Sequence, residues 1–145
     1  MMQNKKMFDI LLVESSQEII MLFEELSKIF NLTIAYAKNI TDFIELVTVY
    51  EFKFVLSNMH IEYKFGGLFL SRMFTNIRKV KINDGKMFLY SLQNNSDFDL
   101  SKLSLDDLAE EKFSNFYSFL STNFPNQFFS YFTSPEYQNS IPVAI

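Results

Sequence analysis

The chain has 145 residues, a net charge of −4 and no cysteine, so it is sized for one domain with a real core and cannot hold a disulfide or a cysteine-ligated metal. Hydrophobic residues make up 48% and charged residues 21%, which excludes a disordered chain, and the acidic balance argues against general affinity for nucleic-acid phosphates. No stretch reaches the ~18 consecutive apolar residues of a membrane span. The apolar run after Lys5 and Lys6 is broken by Asp9 and Glu14, so no signal peptide is expected and the cytoplasm is the expected compartment.

The first apolar run, Phe8-Asp9-Ile10-Leu11-Leu12-Val13, predicts a strand that ends on Glu14 and Ser15. Ser15 with Glu18 fits a capping box, and Ile19, Phe23, Leu26 and Phe30 recur at helical spacing up to Asn31. Residues 32–37 predict a second strand. Asn39 and Asp42 open a second helix, in which Ile40, Phe43, Ile44 and Val47 share a face.

The third strand is the most informative stretch: Phe52-Lys53-Phe54-Val55-Leu56-Ser57-Asn58 is apolar until it breaks into polar side chains. A buried parallel strand delivers groups to a site at its C-terminal edge in this way. Gly66-Gly67 turns into a helix marked by Leu70, Met73, Phe74 and Ile77, and residues 86–91 form a fourth strand ending on Ser91. Residues 98–101 predict a weak fifth strand ending at Lys102. Ser104 and Asp107 then cap a last helix carrying Leu105, Leu108, Phe113, Phe116 and Leu120.

Alternating strands and helices predict an α/β, doubly wound, parallel five-stranded sheet of flavodoxin-like order 2-1-3-4-5 with helices on both faces. Only ten residues separate Ser91 from Lys102, fewer than a parallel crossover needs, so the fourth helix is expected to be shortened or missing. In this order Glu14, Ser15, Asn58, Ser91 and Lys102 converge at one edge. Arg72, Arg78, Lys79, Lys81 and Lys86 cluster locally and read as a solvated face rather than a nucleic-acid or membrane contact.

This ordered set of strand ends resembles the receiver domain of two-component response regulators, over residues 8–124. The resemblance rests on Leu11-Leu12-Val13-Glu14-Ser15-Ser16, on Phe54-Val55-Leu56-Ser57-Asn58, on Gly66 or Gly67, on Ser91 and on Lys102. It implies that Asn58 stands at the phosphoacceptor position, Glu14 and Ser15 at the acidic pair, Ser91 at the switch hydroxyl and Lys102 at the switch lysine. An acyl phosphate forms only from a carboxylate, and Mg²⁺ needs several hard oxygen ligands. Asn58 is a neutral amide, Ser15 is no acid, and Leu103 stands where the family has proline.

The resemblance therefore implies a pseudo-receiver: not an enzyme, without a metal or other cofactor, serving as a protein-protein interaction module in bacterial two-component signalling. The alternative from the same residues is a sensor that binds an anion or nucleotide in the polar pocket around Glu14, Asn58, Ser91 and Lys102. Asn58 also has a plainer reading as a hydrogen-bond partner of loop backbone, and Ser15 as a helix cap. After residue 124 the chain changes character: Phe128, Phe129, Tyr131 and Phe132 crowd residues 125–145. This extension is expected either to fold back over strands four and five or to form a homodimer surface.

Overall fold

In the computed structural model, which describes residues 5–79, 83, 85–91, 103–106, 112–113 and 115–140, Ile10, Leu11, Leu12 and Val13 are each 0% exposed. Successive strand side chains point to opposite faces, so a run buried at every position must be covered on both sides. Four strands run parallel in the order β2-β1-β3-β4: β1 (Met7–Val13), β2 (Ile34–Ala37), β3 (Glu51–Asn58) and β4 (Lys86–Tyr90), with β2 at the less buried edge.

Two cores cover the sheet. On one face Ile10, Leu12, Leu56 and Phe88 pack with Ile20 and Phe23 of α1 (Gln17–Ile29) and with Phe116 and Phe119 of α4 (Phe116–Asn123). On the other, Leu11, Val13, Val55 and Leu89 pack with Phe43 and Val47 of α2 (Ile40–Val49) and with Leu70 and Phe74 of α3 (Gly66–Lys79). The result is a doubly wound, flavodoxin-like α/β sheet. The expected cap of α2 forms, with the Asn39 side chain accepting the Asp42 N–H at 2.7 Å.

Three expectations need correction. The sheet has six strands rather than five parallel ones: β4 is followed by the two-residue strands β5 (Leu105–Asp106) and β6 (Lys112–Phe113), both paired antiparallel. The last helix accordingly starts at Phe116 and not at Ser104. Asn115 caps it by accepting the Ser118 N–H at 2.8 Å. Strands of two residues are too short to show a period of two, so Leu105 and Phe113 fall into a helical count that Phe116 and Leu120 obey, while Leu108 of that count lies outside the described residues. The strand expected over residues 98–101, and the stretch in which a fourth helix would fall, lie outside the described residues.

The third correction concerns α1, where Ser16 rather than Ser15 is the N-cap and its side chain makes no capping bond. The extension folds into α5 (Pro125–Phe132) and α6 (Pro135–Ser140). Among the described residues it packs at the C-terminal end of α1 and beside α4. Phe30, 3% exposed, stacks on Phe128 at 5.7 Å and meets Tyr131 edge-on at 5.2 Å. No helix among the described residues is long and apolar enough to cross a membrane.

Candidate functional site

The side chains facing the α1/α4 core end on polar groups in three adjacent strands. Leu12, Leu56 and Phe88 are the last apolar residues on that face, and two positions later come Glu14, Asn58 and Tyr90. The register fixes them side by side, because Val13 pairs with Ser57 and Asn58 pairs with Tyr90.

Glu14 is 2% exposed, and a buried carboxylate is costly unless donors surround it. Four do. Its Oε1 accepts from the Asn58 amide at 3.1 Å and from the Tyr90 hydroxyl at 2.7 Å. Its Oε2 accepts the backbone N–H groups of Ser15 at 2.9 Å and Ser16 at 3.1 Å. A carboxylate offers about four lone-pair positions, so this acceptor is saturated, and the two backbone donors sit where the dipole of α1 favours an anion. Burial pushes the Tyr90 phenol well above its ordinary value, and the neighbouring Glu14 charge adds to the effect. Tyr90 therefore stays a donor.

Asn58 extends the network into the β3–α3 loop. Its Oδ1 accepts the His60 N–H at 2.9 Å, and His60 Nδ1 accepts the Phe65 N–H at 3.0 Å. Within the same loop Glu62 accepts the Ile40 N–H at 2.8 Å, which ties the loop to the start of α2. Glu62 and Phe65 are held at positive φ, 61° and 63°, a region that non-glycine residues seldom occupy. Gly67 passes so close beneath that a Cβ there would lie 2.7 Å from the Asn58 carbonyl oxygen. The loop is fastened at several points.

Of the residues singled out from the sequence, Glu14 and Asn58 touch directly, and Ser15 joins through its backbone N–H while its side chain is exposed. Ser91 is exposed one residue beyond β4. Lys102 lies outside the described residues. Sequence reasoning missed Tyr90. The signal is present in the alternation that turns Phe88 inward and so turns Tyr90 inward too, whereas the hydroxyl of Ser91 stands one position further on, at the visible end of the apolar run.

No family model matches the chain, and no curated protein matches it. In structure the chain is similar to a solved protein described as the MaeR response regulator bound to beryllium trifluoride, with 21% sequence identity and a TM-score of 0.47, covering 61% of this chain and 70% of that one. The fold assigned above rests on strand order and register, and the site on the contacts of Glu14.

A cavity of about 320 Å³ lies away from the strand ends, between the end of α1 and the extension, where Phe30, Asn31, Gln127 and Tyr131 are among its walls. It shares no residue with the Glu14 network.

Proposed function

We propose that the chain is a receiver-like signalling domain in which a closed hydrogen-bond network stands where a phosphorylation switch would be, and that it works by contact with other proteins. One observation carries this reading: Glu14, the sole carboxylate at the three strand ends among the described residues, gives both oxygens to protein donors. The order of strand ends in the sequence supports the receiver-like part, and a bacterial cytoplasm is the setting that this part implies.

The residues present do not fit Mg²⁺, which needs several oxygen ligands in near-octahedral geometry. Recruiting Glu14 would strip the buried Tyr90 hydroxyl of its acceptor, and an orphaned buried donor costs about 1–3 kcal/mol. Asn58 turns its Nδ2 toward Glu14 and its Oδ1 toward the His60 N–H, so it offers neither a nucleophile nor a free ligand oxygen. The same geometry weighs against the sensor reading, since these polar atoms already satisfy one another.

The test is incubation with acetyl phosphate or phosphoramidate and Mg²⁺, followed by intact mass. The expected result is an unchanged mass. A hydroxylamine-sensitive phosphoryl adduct overturns the proposal.

A further inference from the structure

Residues 63–79 hold four cations, Lys64, Arg72, Arg78 and Lys79, and no carboxylate, in a chain whose net charge is −4. Positions three and four apart share a helix face, and on α3 this places Phe69, Arg72, Asn76 and Lys79 together on the exposed arc. Phe69 is 49% exposed, and Phe65, in the loop that leads into α3, is 47% exposed. Arg78 and Lys79 complement the helix dipole in the last turn. That role does not account for Arg72 in mid-helix or for two phenylalanines in solvent.

The outer arc of α1 has the opposite chemistry. Glu18, Met21, Leu22, Glu25 and Ile29 are exposed on it, with Met21 at 56% and Ile29 at 42%. The one cation there, Lys28, lies in the last turn. An apolar strip flanked by carboxylates thus matches an aromatic strip flanked by cations. Grouped apolar exposure of this kind marks interaction surfaces.

The two arcs cannot meet within one molecule, because α1 covers one face of the sheet and α3 the other. We propose that α3 of one copy receives α1 of a second copy, a head-to-tail contact that leaves both end faces open and so propagates. This deepens the interaction-module reading by naming a partner, and it rests on that reading only for the module's role. A single helix-on-helix contact is small, below the ~1,200 Å² of standard interfaces, so the association is weak and grows with concentration.

Sedimentation velocity over a wide concentration range, at low and high salt, reads it directly. Average mass rises with concentration in the wild type, more steeply at low salt because exposed charges are then less screened. Arg72→Glu spoils only the α3 face, and the double variant Met21→Ser/Leu22→Ser spoils only the α1 face. Each remains monomeric alone, and an equimolar mixture gives a 1:1 dimer that grows no further, since one intact face of each kind survives.

Circular dichroism of both variants checks that they are folded. The substituted side chains are all exposed, so the core stays intact, and a third variant, Lys79→Glu, repeats the α3 test at a second exposed site. A wild type that stays monomeric throughout overturns the inference. So does association that persists in the single-face variants, which would place the contact elsewhere, or Arg72-dependent binding to anionic vesicles or oligonucleotides without self-association. A monomeric result leaves the phosphorylation test of the closed site unaffected.

Discussion

The hydroxyl of Tyr90 donates to Glu14 Oε1 at 2.7 Å, although 76 positions separate them in the chain and β3 lies between their strands. A bond between next-nearest strands passes over the one in the middle. It is possible here because Asn58, at the end of that middle strand, is drawn into the same acceptor. The three side chains therefore behave as a unit.

Tyr90→Phe removes one donor from a buried carboxylate without changing shape. Hydrogen bonds to charged groups contribute about 1.5–3 kcal/mol, so a loss in that range is expected from urea unfolding at neutral pH. Glu14→Gln should cost at least as much, because one end of its amide then faces donors. The double variant should lose less than the sum of the two, as groups in one network are not additive. Strict additivity would count against the network.

Asn58→Asp, which sets a second carboxylate beside Glu14 at the end of β3, is expected to destabilise the fold. The new carboxylate replaces a donor with an anion at the 3.1 Å contact to Glu14 Oε1. Two carboxylates sharing a site raise one folded pKa above its unfolded value of about 4. Such a group contributes its stability below the unfolded pKa and loses it as pH rises through the folded one. The deficit relative to wild type should therefore be larger at pH 7 than near pH 4, a trend that melting curves at the two pH values can refute.

Alkaline pH should weaken the protein through two tyrosines. Tyr36 is pushed up to about 12 from 10.0, first by burial and then by the Glu24 charge, and Tyr90 is raised well above 10.0 by burial and by Glu14. Both pKa values rise on folding, so the associated stability is fully present below pH 10 and declines as pH climbs through the folded values. Unfolding free energies measured from neutral pH upward should stay level and then fall above about pH 10. In Tyr90→Phe the fall should be shallower.

Phe30→Ala should detach the extension as well as hollow the core. Phe30 meets Tyr117, Phe128, Tyr131 and Phe132, and truncating a buried phenylalanine costs about 3–5 kcal/mol. Limited proteolysis should then cut first within residues 125–140. Cleavage elsewhere would mean that other contacts hold the segment.

Gly67→Ala tests how tightly the loop is seated. The added Cβ would meet the Asn58 carbonyl oxygen at 2.7 Å and the Met59 Cα at 2.8 Å, both backbone atoms that cannot rotate aside. Overpacking of this kind costs about 1–3 kcal/mol. Amide exchange at His60 and Phe65 should quicken, since their hydrogen bonds depend on the same backbone path.

Much of the fold was legible in the residues themselves. The buried run Ile10-Leu11-Leu12-Val13 and the capped helix after Asn39 carry strong local signals, and the order β2-β1-β3-β4 follows from alternation and crossover rules. The β5–β6 pair was not legible, because Leu105 and Phe113 owe their positions to partners across the sheet rather than to a local period. The site was half legible. Glu14 and Asn58 could be found as polar endings of apolar runs, but Tyr90 reads as one more aromatic until register sets it opposite Asn58.

Asn83 shows the same limit from the other end of the sheet. In the sequence it belongs to a turn before Gly85. In the fold it is 1% exposed, donates to the Tyr50 carbonyl at 2.9 Å and accepts the Gly85 N–H at 3.2 Å. The entry of the central strands is thus pinned by one buried amide, and their exit by one buried acid. Fastened at both rims, β3 and β4 keep one register along the whole length of their pairing, from Phe54 beside Lys86 to Asn58 beside Tyr90.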